Sequence, residues 1–115
     1  MTALQRRGRR GRQGPVTVRF LPDQLPEMPT PPRVALAVGR RVGSAVVRNR
    51  VRRRLRETMR LLAAQGNIRS GSYLVGAGPE IVEMDYGEVV EHVSEALRSV
   101  GALRDPGAPP ERLNR

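Results

Sequence analysis

The sequence contains no cysteine and no tryptophan, and none of its 21 basic residues is a lysine. Without cysteine, the chain forms neither a disulfide framework nor a thiolate metal site. Its aromatic residues are Phe20, Tyr73 and Tyr86, too few for a large cluster of stacking rings, so the core must be mostly Val, Leu and Ala. No apolar run approaches the roughly 20 residues that span a bilayer, and the N-terminal residues lack the apolar stretch of a secretory signal. These absences predict one cytoplasmic domain with no membrane partner.

Positive charge is concentrated in the first half of the chain. Residues 1–60 hold 16 Arg against 3 acidic residues, whereas residues 61–115 hold 5 Arg against 8 acidic residues, within a formal net charge of +10. Such a surplus predicts a polyanionic partner, and nucleic-acid phosphates are the commonest one. The single histidine, His92, has no second His or Cys to share a metal and no nucleophile signature beside it. We therefore predict no catalytic residue and no metal site in the protein itself.

Residues 43–66 have the pattern of one long amphipathic helix. At roughly 100° per residue, one stripe carries Val47, Val51, Leu55, Thr58 and Leu62. The opposite side carries Asn49, Arg52, Arg53, Arg56 and Arg60, flanked by Arg48 and Arg50, and the preceding turn adds Arg40 and Arg41. Ser44 is the expected N-cap, and Gly66 suits the position just past the C-terminus. Like charges at i, i+4 repel, so this basic side is destabilising unless a partner neutralises it.

The other segments predict strands, a second helix and two tails. Alternation predicts a strand over residues 16–20 with Val16, Val18 and Phe20 on one face, and a further strand over residues 72–77. Residues 33–38 are apolar on both faces, as in a central strand. Asp85 and Glu88 form a capping box for a helix over residues 85–100. Residues 1–14 are expected to be a flexible basic arm, residues 15–104 a single domain, and residues 105–115 a disordered tail.

This order of elements predicts an α+β fold, a two-layer sandwich of helices on one small mixed sheet. The strands at residues 33–38 and 72–77 are joined through the long helix. If they pair in parallel, they form a βαβ crossover, which is normally right-handed.

Residues 33–57 read RVALAVGRRVGSAVVRNRVRRRLRE, and this stretch resembles the signature of the bacterial ribonuclease P protein subunit. In that family a strand leads through S-K-K-x-G-N-A-V-V-R-N-R into a basic helix. The resemblance implies a fold like the second domain of ribosomal protein S5, with an unusual left-handed βαβ crossover. Ser44 stands where the family usually has Asn, and Gly39-Arg40-Arg41 replaces Ser-Lys-Lys. The family's opening helix, with its aromatic residue, has no counterpart in residues 1–14.

The resemblance implies a protein that assists an RNA enzyme and performs no catalysis itself. In the family, the RNA subunit uses bound magnesium ions to remove the 5′ leader of precursor tRNA. The protein supports the RNA and holds the leader in a cleft on the sheet. By similarity, the contacts to ribonuclease P RNA are Arg48, Asn49, Arg50, Arg52, Arg53 and Arg56, on a surface that Arg40, Arg41 and Arg60 extend. We expect Val16, Val18 or Phe20 near the leader cleft, with Phe20 as the stacking ring.

Charge alone leaves another function open, that of a general RNA- or DNA-binding protein without a processing role. Its binding would track the length of the nucleic acid rather than its structure. A helix lying on an acidic membrane is disfavoured because its apolar stripe is needed for the core. A self-sufficient protein nuclease is least favoured, since the acidic residues lie mainly in the second helix and form no convincing metal cluster.

Overall fold

The computed structural model describes residues 8–23 and 32–103. Four strands form one sheet: β1 (Arg9–Gln13), β2 (Val16–Pro22), β3 (Arg33–Val38) and β4 (Gly71–Ala77). Two helices, α1 (Ala45–Ala64) and α2 (Tyr86–Ser99), pack on the sheet. The spatial order is β1-β2-β4-β3, in which β3 and β4 are parallel and the other two pairs are antiparallel. The predicted α+β sandwich with a mixed sheet is confirmed.

The core lies between the two helices and one face of the sheet. From β2 it takes Val16, Val18 and Phe20, all at most 1% exposed, and Phe20 stacks on Tyr73 of β4 with ring centroids 4.7 Å apart. The apolar stripes of the helices complete it with Val51, Leu55, Met59 and Leu62 of α1, and with Val89, Val93, Ala96 and Leu97 of α2. Branched aliphatic side chains therefore fill most of the interior, as the scarcity of aromatics requires.

Both ends of α1 follow the local chemistry of the chain. The Ser44 hydroxyl accepts a hydrogen bond from the Val47 N–H at 3.3 Å, and Gly66, just past the last turn, has φ +72°. Thr58 is fully buried, and its hydroxyl donates to the Arg54 carbonyl at 2.8 Å, so the polar atom is satisfied inside the core. In α2, the Asp85 and Glu88 side chains each accept from the other's backbone N–H. The predicted caps are confirmed.

The prediction of a flexible arm over residues 1–14 was wrong for Arg9–Gln13, which form β1. Every residue of β1 has a partner on β2, from Arg9 opposite Phe20 to Gln13 opposite Val16. Gly11 lets the strand approach α2 closely, because a Cβ there would lie 2.8 Å from Val100 Cγ1. Backbone pairing and this close approach, rather than apolar side chains, hold the strand in place. Residues 1–7 lie outside the described residues.

The prediction that residues 33–38 form a central strand was also wrong, because β3 lies at the edge of the sheet. Arg33, Val34, Ala35 and Ala37 are exposed, and only Val38 is buried. An all-apolar run does not distinguish an edge strand from a central one. β3 and β4 do pair in parallel and are joined through α1, which meets the condition for a βαβ crossover; the left-handed sense of the crossover stays a prediction. Residues 24–31 and the predicted tail over 105–115 lie outside the described residues.

Candidate nucleic-acid interface

The outward side of α1 and the short 3₁₀ turn before it carry one continuous basic surface, which we call the cationic face. It comprises Arg40, Arg41, Arg48, Asn49, Arg50, Arg52, Arg53, Arg56 and Arg60. Arg48 and Arg52 are half-buried and the other members are exposed. The structure therefore brings together all the residues predicted to bind RNA. The 3.6-residue period is the reason for the exposed members on α1, which lie away from its buried apolar stripe. Arg40 and Arg41 join them from the turn that precedes the helix.

The charge of the cationic face is not neutralised within the described residues. Among the described residues, the ion pairs lie outside the cationic face. Arg33 pairs with Asp23 at 2.6 Å, and Arg98 pairs with Glu95 at 2.7 Å. Glu57 is the single acidic residue of α1. Neighbouring guanidinium groups on a helix repel one another, so this surface is unfavourable in the free protein and an anionic partner would stabilise it.

Two hydrogen bonds fix the orientation of Asn49. Arg52 donates from Nη1 to Asn49 Oδ1 at 3.0 Å and from Nη2 to the carbonyl of Val38 at 3.5 Å. The first bond engages the amide oxygen of Asn49, while the NH₂ group of this exposed residue has no partner among the described residues and can donate to a ligand. The second ties the Arg52 head to the end of β3. Arg52 therefore positions Asn49 on the cationic face as well as adding charge to it.

Arg48 and Arg54 differ from the other arginines of α1. The Nε atom of Arg48 is buried and has no hydrogen-bond partner among the described residues. An unpaired buried donor costs about 1–3 kcal/mol, so Arg48 is the least satisfied cation of the surface. Arg54 is half-buried and donates from Nη1 to the carbonyl of Met84 at 3.4 Å. It joins α1 to the segment before α2 and lies apart from the cationic face.

The side chains of Val16, Val18 and Phe20, which we expected near the leader cleft, are not available to bind a leader directly. Their exposed fractions are 0%, 1% and 0%, because they lie in the core, where α2 packs against β2. Alternation along the strand was read correctly, but it does not say which face the helices cover. The uncovered face instead carries Thr17 and Arg19, which lie between the helix-facing residues.

The uncovered side of the sheet, which we call the open sheet face, is a second basic surface. Cross-strand partners share a face, so the partners of Thr17 and Arg19 define the open sheet face. Arg19 lies beside Arg10 of β1 and Leu74 of β4, and Thr17 lies beside Arg12 and Gly76 of the same two strands. On β3, Ala35 lies beside Leu74 and Ala37 beside Gly76. A Cβ at position 76 would lie 2.7 Å from Thr17 Oγ1, so Gly76 keeps this face flat. Neither described helix packs on the open sheet face, and it carries no acidic side chain among the residues of its four strands.

Exposed apolar side chains accompany the arginines, and the sequence patterns did not single them out as candidate binding residues. Val46 is 69% exposed and, with Asn49, Arg50 and Arg53, lines a shallow depression of about 290 Å³ on α1. The helical wheel alone could have found Val46, because it falls on the basic side. Val34 is 37% exposed and lines a separate groove between β3 and α1. Only the tertiary structure brings those two elements together.

A sequence model of the ribonuclease P family, described as Ribonuclease P, matches residues 2–101. This chain belongs to the ribonuclease P protein family. It is 39% identical over 118 residues to the ribonuclease P protein component of Thermobifida fusca, covering 99% of this chain and 79% of that protein. It is 41% identical over 99 residues to the component of Thermus thermophilus, covering 86% of this chain but 55% of that protein. The chain thus spans little more than half the length of its Thermus relatives.

Solved structures of ribonuclease P proteins share the fold. The Staphylococcus aureus protein superposes with a TM-score of 0.75 at 18% identity, over 89% of each chain. The Thermotoga maritima protein superposes with a TM-score of 0.70 at 22% identity, over 84% of this chain and 87% of that one. None of the helices in the described ranges is both long and apolar enough to cross a membrane. The same ranges contain no group of three metal-ligating side chains.

Proposed function

We propose that this chain is the protein subunit of ribonuclease P, that it binds the catalytic RNA through the cationic face, and that it assists removal of the 5′ leader from precursor tRNA. The observation that carries the proposal is the uncompensated charge of α1, carried by a helix whose opposite side is fully committed to the core. In this proposal hydrolysis is performed by the RNA subunit with its bound magnesium ions, and the protein holds none.

The cationic face offers two kinds of contact to RNA. An arginine fork donates two parallel hydrogen bonds to a phosphate, and Arg40, Arg50 and Arg53 are exposed for that geometry. The outward NH₂ group of Asn49, oriented by Arg52, donates to a base carbonyl or a 2′-hydroxyl. A structured RNA presents both groups close together. These contacts favour a folded RNA over a bare polyanion.

For the leader, the open sheet face replaces the buried residues first considered. Arg10, Arg12 and Arg19 line its β1–β2 half, while Leu74 and Ala35 provide an apolar strip beside them. A single strand laid across this face meets guanidinium groups for its phosphates and a flat apolar surface for its bases. We therefore place the leader on the face opposite the helices.

The decisive experiment is cleavage of precursor tRNA by the ribonuclease P RNA of the same organism at low magnesium, with and without this protein. Magnesium partly neutralises RNA phosphates, and a bound cationic protein lowers the amount of the ion that is needed. We expect stimulation of cleavage at low magnesium that fades as magnesium is raised. RNA binding without any stimulation would refute the subunit role.

A general nucleic-acid-binding protein is the second function considered, and the net charge alone favours it. Competition separates the two. Ribonuclease P RNA should displace an equal mass of unstructured RNA from the subunit, whereas the affinity of a general binder depends on strand length. The ordered Arg52–Asn49 pair favours the subunit, because a purely electrostatic surface needs no oriented amide.

A further inference from the structure

The groove between β3 and α1 lies on the helix side of the sheet, apart from the open sheet face. It has a volume of about 280 Å³ and is lined by Pro32, Val34, Arg56, Met59, Arg60 and Ala63. Val34 and Tyr73 are cross-strand partners, and Tyr73 is fully buried under the helices, which fixes the side on which Val34 points. The groove therefore borders the core, at the far end of the helix from Asn49.

Three chemical features meet in this groove. Its floor is apolar, since Val34, Met59 and Ala63 contribute aliphatic or thioether surface. Its rim is cationic: Arg56 and Arg60 lie one helical turn apart, and neither has a hydrogen-bond or ion-pair partner among the described residues. Its wall is an edge strand, and β3 has no described neighbour on its outer side, so half of its backbone N–H and C=O groups are open.

We propose that this groove holds one unpaired nucleotide of the RNA bound to the cationic face. The base rests on Val34, Met59 and Ala63, its polar edge meets the open backbone of β3, and its phosphate lies between Arg56 and Arg60. The volume is just below the range of sites for drug-sized ligands, and it suits a single planar ring. Two arginines and, among the described residues, no acid line the groove, which favours an anionic, phosphate-bearing occupant.

The inference rests on the proposed function only in requiring that this side of α1 binds RNA. It adds a pocket for a base, which a purely electrostatic surface lacks. Base stacking on protein side chains contributes to affinity independently of salt, whereas phosphate contacts weaken as salt is raised. The two contributions can therefore be measured separately.

The test compares Ala63→Leu with Ala64→Leu. Ala63 lines the groove and Ala64 is its exposed neighbour outside it, so both variants add the same aliphatic group, without a stacking ring and without changing charge. The probes are end-labelled octaadenylate and the same strand made abasic at every position, with affinity measured by fluorescence anisotropy. We expect Ala63→Leu to fill the groove and weaken octaadenylate binding roughly tenfold, and Ala64→Leu to leave it unchanged. Neither variant should change the affinity for the abasic strand.

Circular dichroism and thermal unfolding are the checks that both variants fold. A second measurement needs no variant: 4-thiouridine placed in an octamer should crosslink to residues 32–34 and 59–63, mapped by mass spectrometry. Unchanged affinity in Ala63→Leu, equal losses in both variants, or crosslinks confined to other residues would each overturn the proposal. If a segment of this chain fills the groove instead of a base, the substitution at Ala63 would leave the affinity unchanged. If neither strand binds the wild-type protein, the RNA-binding function itself fails, which is a different outcome.

Discussion

Replacing Arg56 by Gln is expected to stabilise the free protein and to weaken its complex with RNA. On α1, Arg56 lies one turn from Arg52 and from Arg60, and three residues after Arg53, with no acidic residue at those spacings. Each like-charge pair on a helix costs about 0.2–0.5 kcal/mol, so removing three of them gains roughly 0.6–1.5 kcal/mol. Gln and Arg have nearly equal helix propensities, so little else changes.

That gain in the free energy of unfolding is large enough to measure. For a domain of this size, 1 kcal/mol corresponds to about 4–8 °C in Tm, so Arg56→Gln should unfold several degrees above the wild type at low salt. The difference should shrink as salt is added, because exposed charges are screened. Differential scanning calorimetry at low and high salt measures both effects.

The affinity of Arg56→Gln for RNA should fall, although the free protein becomes more stable. Loss of one phosphate contact lowers the slope of log affinity against log salt by roughly 0.7–0.9, which titrations of labelled ribonuclease P RNA at several salt concentrations would show. The matched control is Arg98→Gln on α2, where the arginine is paired with Glu95 at 2.7 Å and lies outside the cationic face. It should leave the salt slope unchanged and should not raise the Tm. A lower Tm for Arg56→Gln, or an unchanged slope, would refute the reasoning.

Three further substitutions test the core, a helix cap and the open sheet face. Leu55→Ala, at a fully buried position, should lower the free energy of unfolding by about 2–5 kcal/mol in urea titrations; a loss below about 1 kcal/mol would contradict the packing described. Asp85→Ala should cost about 1 kcal/mol by removing the cap of α2, whereas Asp85→Asn should cost little. Ala35→Glu, on the exposed edge of the open sheet face, should weaken binding of precursor tRNA while binding of mature tRNA and of ribonuclease P RNA is retained. Equal losses for all three RNAs would contradict the leader placement.

The residues that could be predicted from sequence are those whose positions depend on local rules. The bounds of α1 followed from Ser44, Gly66 and the apolar period between them, and the cap of α2 followed from the Asp85–Glu88 spacing. The basic members of the cationic face were found for the same reason, since a helix with one buried stripe has a defined opposite side. Val46 could have been added by the same wheel.

Other features depend on distant neighbours, which no local pattern encodes. β1 contains Arg, Gly and Gln without an apolar period, and it forms because β2 offers it a ladder and α2 accommodates Gly11. The burial of Val16, Val18 and Phe20 depends on which face of β2 the helices cover. The groove at Val34 requires β3 to be an edge strand beside α1, and its apolar sequence had favoured a central position.

By itself, the sequence determined that the protein has a long basic helix, where that helix begins and ends, and which residues form its charged side. The physical reason is that helical period and capping chemistry act over three or four residues, and burial of a guanidinium group without partners is costly. Only the tertiary structure decided which face of the sheet is open, which strand forms its edge and where a base-sized groove lies. Those properties arise from packing between segments far apart in the chain, and alternation along a strand is compatible with either face being buried.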